Sequence, residues 1–473
     1  MRELKKKRIF LLVCLLGAFV LPACSAGGED PAPDPDVTTL IYAKLSDQGG
    51  VDRESVDRFN RGHEGVVQIE VRNYSKISEN GRSGIDLLLT EIAAGNVPDI
   101  IELGTDGQTC QLPYRRMAER GYLEDLWPWI ENDPDLGREA VMEAPLKAAE
   151  VNGGLYTVFD SVFLQTLTGA ESVVGDRTSW TVEDMMEALA SMPEGAVILD
   201  NRVHMNDSGK YVREPSMRKY LFSSLLYASI GTFVDWESGQ CSFDSQEFRS
   251  YLELAGSIPD AYEWTKDYGP DKIYSLEEYD EAYSEEVKRM LTGMVMLEDL
   301  GYRKIYNLSN CNFYFGGRAA IVGYPVADGS VGSYFRPRGI KLAMSSACQD
   351  KEAAWEYIRQ TLLPKQLDDP ALAYDAIPVN RKAYEAEWQQ AIFDSHSEYI
   401  DGEFISIGTM RAAECRRFTE VFNSTTKCSL LLETDILKII DEVAGAYFAG
   451  DKTLDETVDL IQRRVTLYVN EQK

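Results

Sequence analysis

Histidine is nearly absent from this 473-residue chain: only His63, His204 and His396 occur, and none has the neighbours of a metal-ligand set or a nucleophile elbow. Gly-x-Ser-x-Gly, the P-loop and the dinucleotide-binding glycine fingerprint are missing, which removes the commonest signatures of serine hydrolases, nucleotide hydrolases and dehydrogenases. Positive charge is also scarce, with 48 Lys and Arg against 77 Asp and Glu. Such a surface repels nucleic acid and anionic lipid and serves as a solubilising exterior. The eight cysteines form no Cys-x-x-Cys pair, so neither a zinc ribbon nor a thioredoxin-type site is indicated. Cys14 and Cys24 lie at the start, while Cys110, Cys241, Cys311, Cys348, Cys415 and Cys428 are scattered. Of these six, Cys415 and Cys428 alone are close enough in sequence for a local disulfide, with buried free thiols an equal alternative. No metal or cofactor is expected, and no internal repeat is visible.

What is present begins with MRELKKKRIFLLVCLLGAFVLPACSAGGED. Five basic residues, Arg2, Lys5, Lys6, Lys7 and Arg8, precede the apolar stretch Ile9 to Val20, the order of an export signal. That stretch falls short of the roughly 20 residues a spanning helix needs. The tetrad Leu21-Pro22-Ala23-Cys24 resembles the lipobox of bacterial lipoproteins, which implies a signal peptide over 1–23 and a lipid-modified Cys24. One acyl chain holds only marginally, so stable attachment needs the multi-chain modification such lipoproteins carry. Residues 24–36 are rich in Gly, Pro and acids, suited to a solvated tether. Without the signal the chain keeps 43 basic and 76 acidic residues, a formal charge of −33.

The body, from residue 37, is too long for one ordinary core, and two lobes are expected. TTLIYA (38–43) reads as a buried strand, DRESVDRFN (52–60) as a helix and VVQIEV (66–71) as a second strand. IDLLLTEIAAGNVPDIIEL is a helix ended at Gly95, followed by a strand over 99–103. Strand, helix, strand, helix, strand implies a parallel α/β sheet. Later segments repeat these signals. Thr181 to Met192 is a helix with Thr181 as N-cap and Asp184 where a strict capping box has Glu or Gln. FVDWESGQCSF is a two-strand turn around Ser238-Gly239, and the C-terminal helical stretch breaks once, at Gly450-Asp451-Lys452. The chain holds 25 Tyr, 17 Phe and 7 Trp, and aromatic faces with nearby carboxylates suit sugar rings and their hydroxyls.

RFNRGHEGVVQIEV, EIAAGNVPDIIEL, RGYLEDLWPWIENDPDL, NGGLYTV, FGGRAAIVGYP, SSACQDKEAAWEYIR, IPVNRKAY and GDKTLDETVDLIQRRV occur in this order. Together they resemble the carbohydrate-type extracellular solute-binding proteins of ATP-binding cassette (ABC) importers, the group that includes maltose-binding protein. Two positions depart from the family pattern: Gly154 replaces its usual lysine, and Gly323-Tyr324-Pro325 stands where Gly-x-Trp is common. Residues 200–215 have no evident counterpart, and 260–283 reads as an acidic, Tyr-rich insertion. The resemblance implies an α/β, two-lobe periplasmic-binding-protein-like fold with a ligand cleft between the lobes. Lobe one would be 37–153 plus 312–356, and lobe two 154–311 plus 357–473. The ligand-binding positions it implies are Leu45, Ser46 and Asp47, then Gly104, Thr105 and Asp106, then Phe159, Asp160, Phe163 and Tyr324. It further implies a non-enzymatic, monomeric receptor, lipid-anchored outside the bacterial cytoplasmic membrane, that hands a sugar or oligosaccharide to permease subunits. A surface-tethered glycoside hydrolase or a glycan adhesin is the alternative.

Overall fold

The computed structural model describes residues 37–45, 53–79, 82–104, 112–206, 208–260, 272–365 and 376–472. The chain opens with β1 (Thr38–Lys44), α1 (Arg53–Gly62), β2 (Val67–Asn73), α2 (Gly84–Ala93), β3 (Ile100–Glu102) and the short helix α3 (Tyr114–Glu119). β1 lies parallel to both β2 and β3, with Leu40, Tyr42, Ile100 and Ile101 fully buried. The helix-end pair Phe59-Asn60 has a mechanical role. Phe59 enters the core, while the Asn60 amide exchanges two hydrogen bonds with the Ile69 backbone, at 2.8 and 3.1 Å, and so fixes α1 against β2. Asp99 of the Val-Pro-Asp turn accepts from the Ile41 backbone N–H at 2.7 Å, and Gly95, at φ +88°, takes the left-handed conformation that stops α2.

β4 (Ser161–Ala170) begins the second sheet, followed by α4 (Val182–Ala190), α5 (Met217–Phe233), β5 (Leu297–Tyr302), β6 (Ala319–Ile321), β7 (Tyr334–Arg338) and β8 (Leu342–Met344). Then come α6 (Lys351–Ile358), β9 (Ile377–Pro378), α7 (Arg381–Phe393), α8 (Ala412–Ser424), β10 (Lys427–Cys428), α9 (Thr434–Phe448) and α10 (Leu454–Glu471). The second sheet runs β5-β4-β7-β10, with β6 and β9 also on β4. β8 instead pairs antiparallel with β3, giving the first sheet the order β8-β3-β1-β2. The returning segment expected at 312–356 therefore divides: β6 and β7 serve the second sheet, and the chain enters the first at Leu342. Residues expected wholly in lobe two also divide, since Tyr384, Phe418 and Phe422 pack with the core of the first sheet, while α9 and α10 close the second core. Cys415 and Cys428 are both buried free thiols.

Glu387 of α7 is 1% exposed and accepts from the Ile305 backbone N–H at 2.7 Å. Burial pushes its carboxyl up to about 7, against the opposing charge of Lys304. The native state thus holds this proton more tightly than the unfolded chain. The associated stability is complete below the unfolded value of about 4.3 and is lost as pH rises through about 7. Glu387→Gln should therefore gain stability relative to the wild type between pH 5 and pH 8, by a few kcal/mol at most, since one pKa unit is worth about 1.4 kcal/mol. Urea melts of both proteins across that range check this; parallel pH profiles would contradict it.

Candidate functional site

α3 from the first sheet's side meets α5, the hairpin at 234–241, β10 and the start of α9 around a cavity of about 240 Å³. Its walls include Arg115, Tyr227, Trp236, Lys427, Glu433 and Ile436. Gly239, at φ +74°, makes the tight turn that carries Trp236 to this wall. The Arg115 guanidinium stacks on the Trp236 ring, 3.4 Å from its centre, and pairs with Glu433 at 3.2 Å and Glu119 at 2.6 Å. Arg116 adds a contact to Glu433 at 3.7 Å and one to Gln472 at 2.5 Å. α3 is thereby clasped to α9 and α10 across the space between the two sheets. Arg115 and Glu433 are each under 10% exposed in their side chains, where losing one partner strands a buried charge at a cost of about 3–5 kcal/mol. Lys427 donates to Ser330 at 2.9 Å, and burial lowers its pKa against the pull of Asp328 and Glu247.

Tyr227 links this cavity to a second cluster. Its ring centre lies 6.0 Å from that of Tyr334 on β7, and burial raises its hydroxyl pKa, with Asp441 raising it further and Arg336 opposing. On the same face of the sheet, β7 sets Arg336 opposite Phe163 and Arg338 opposite Ser161. Arg303 follows β5, where Gly301 leaves room for the Gln165 and Phe163 side chains. The three guanidinium carbons lie 4.9, 5.8 and 4.5 Å from the Phe163 ring centre for Arg303, Arg336 and Arg338. No two are then more than about 11 Å apart, and at an effective dielectric of about 20 such a pair repels by about 1.5 kcal/mol or more. Each contact with the ring returns about 0.5–2 kcal/mol, and solvent screens the exposed Arg303. Gln165 relays between charges: its Oε1 accepts from Arg336 at 3.1 Å and its Nε2 donates to Asp299 at 2.6 Å. Burial pushes the Asp299 carboxyl up, which weakens it as a counter-ion.

Among the expected site residues, Phe163 lies under the three arginines. Asp160, next to it, pairs with Lys365 at 2.7 Å and accepts from Ser161. Phe159 is fully buried in the core at the crossing, and Gly104 is buried at the end of β3 with φ +107°. Leu45 is buried, its N–H on Glu102 at 3.4 Å. Tyr324, expected to present its ring to a ligand, is fully buried here. Its hydroxyl donates to Asp299 at 2.6 Å, and its backbone is held against Gly332, where an added Cβ would sit 1.9 Å from the Tyr324 carbonyl oxygen. Ser46, Asp47, Thr105, Asp106 and Cys24 lie outside the described residues. Sequence reasoning missed Arg115, Tyr227, Trp236, Lys427 and Glu433, although the turn at Ser238-Gly239 marked the hairpin that holds Trp236. Among the described residues no cluster of His, Cys, Asp and Glu is arranged to hold a metal ion, and no helix is long and apolar enough to cross a membrane.

No family model matches this sequence, and a search of curated proteins finds no match. Solved structures do match. The sugar-binding protein MalE from Xanthomonas citri aligns over 92% of this chain and 98% of its own, with a TM-score of 0.53 at 16% identity. The fold is that of the two-lobe periplasmic binding proteins. Also similar are a cyclic α-maltosyl-1,6-maltose binding protein from Arthrobacter globiformis, with TM-score 0.48, 15% identity and coverage of 93% and 100%, and an ABC transporter solute-binding protein from Agrobacterium vitis with bound D-mannitol, with TM-score 0.48, 14% identity and coverage of 92% and 99%. The cavity beside Trp236 is walled by elements packed on the second sheet, with Arg115 of α3 reaching it from the first sheet's side.

If the stacked guanidinium is part of the clasp, Arg115→Ala and Trp236→Ala should be coupled. A double-mutant cycle from urea unfolding is expected to give about 1–2 kcal/mol of interaction energy. Strictly additive losses would show that the stack contributes nothing.

Proposed function

We propose that this chain is the substrate-binding component of an ABC importer, a non-enzymatic receptor that captures a sugar or oligosaccharide outside the cell and passes it to membrane permease subunits. The observation that carries the reading is the cavity where α3 meets α5, β10 and α9, walled by Trp236 and Tyr227 beside charged Arg115, Lys427 and Glu433; in a two-lobe receptor it would open on the cleft. Aromatic bodies with a few polar anchors are what recognition of a hydroxylated ring requires. The similarity to a sugar-binding MalE supports it as a matter of fold. Lobe one would comprise 37–153 and the return through β8 and α6, and most of the remainder would form lobe two. Ser46, Asp47, Thr105 and Asp106 stand after β1 and β3 and would supply hydroxyl-binding groups from lobe one. Asp160 would act at the crossing. The receptor would work as a monomer without cofactor, exported by residues 1–23 and held to the outer face of the membrane by lipid on Cys24.

Two experiments test this. A saccharide panel read by thermal shift should contain a member that stabilises the mature chain by about 2.7 kcal/mol at 100 times its dissociation constant, with no release of reducing sugar. Turnover of the ligand would favour a hydrolase instead, and no response to any saccharide would contradict the receptor reading. Cys24→Ser should yield a folded protein that leaves the membrane fraction once the signal is removed; retention there would rule out the lipid anchor.

A further inference from the structure

Resting on the reading of the cleft as a saccharide site, we infer that the saccharide it takes is anionic, bearing a carboxylate or sulfate that Arg303, Arg336 and Arg338 receive beside Phe163. Three guanidinium groups around one ring, at 4.9, 5.8 and 4.5 Å, form a concentrated positive site in a chain where acids outnumber bases 77 to 48. A supply of carboxylates is therefore not what is wanting. Yet neither Arg303 nor Arg336 is ion-paired with a carboxylate among the described residues. The only side-chain hydrogen bond of Arg336 to a described residue goes to the neutral amide of Gln165, and its Nε is buried without a partner. The planar, forked donors of arginine match carboxylate and sulfate oxygens two at a time, and an oxyanion beside Arg303 and Arg336 would relieve the repulsion between those two. Phe163, 5% exposed under these groups, then acts as the floor that spaces the arginines, and sugar stacking is left to Trp236 or Tyr227 along the cleft. Their arrangement comes from strand register, since Arg336 and Arg338 alternate onto one face of β7 opposite Phe163 and Ser161. The inference narrows the ligand from sugars in general to acidic ones.

Calorimetric titration of the mature chain with trigalacturonate, a sulfated chondroitin disaccharide and neutral maltotriose, each at low and high salt, tests this. The expected result is binding of the carboxylated or the sulfated probe, weakened by salt, with a roughly ten- to hundredfold loss of affinity in Arg336→Gln and in Arg338→Gln. Ligand-free melting curves verify that these variants fold, and Arg303→Gln, at an exposed position, serves if either does not. Binding of maltotriose alone, unchanged in the arginine variants, would overturn the inference and leave the receptor reading standing. Anionic binding of equal strength in all variants would overturn the role of these arginines. Failure of every saccharide, including the wider thermal-shift panel, would overturn both readings.

Discussion

The pairing of β4 is the constraint on which the rest of the molecule depends. Its ten residues take hydrogen bonds from β5, β6, β7 and β9, so strands drawn from residues 297 to 378 are registered against a single segment. Because side chains alternate faces along a strand, that register decides what each face carries. On one face Leu164 and Phe335 join the core that continues into α8. On the other, Phe163, Gln165, Arg336 and Asp299 gather into a polar cluster. A one-residue slip of β7 would exchange the two sets, burying guanidinium groups and exposing Phe335.

Around β7, α3 and β10 the structure gathers positive charge that the acidic composition as a whole does not suggest. The exterior is acidic, whereas the space along β7, α3 and β10 gathers Arg115, Lys427 and the three arginines near Phe163. Arg115 and Glu433 compensate one another across that space, and Trp236 lends a polarizable face to the same guanidinium. Such a pair contributes little net stability against an apolar replacement. Its value is in orientation, because the contact exists only when α3 and α9 stand at this separation. The long-range negative field and the local positive cluster act at different distances, the first screened within about 8 Å at physiological ionic strength and the second felt by a group already beside the guanidinium groups.

Local structure was legible in the sequence because it is set by near neighbours. The capping of α4 by Thr181 closes as a full box even with Asp184 in place of the longer acid, at 2.9 and 3.2 Å. The break before α10 falls at Gly450, and the turn at Ser238-Gly239 forms the hairpin expected there. The parallel order of β1, β2 and β3 follows from the same strand and helix alternation. The candidate site was less legible because its parts come from distant segments. Arg303 and Arg336 lie beside Phe163 only through pairing across more than a hundred residues, and nothing in the local sequence at Tyr324 announces that Gly332 closes over its backbone. Tyr324 lies past the end of β6 at Ile321, and the burial of its ring depends on contacts that no motif contains.

Hydrogen exchange of the mature chain with and without a saccharide already shown to bind would test the central claim, that the ligand sits between the lobes beside Trp236, most directly. Added protection is expected in α3, in the 234–241 hairpin and in residues 427–436, with the far ends of both lobes unchanged. Binding that leaves those three segments as they are, and protects another surface, would contradict it.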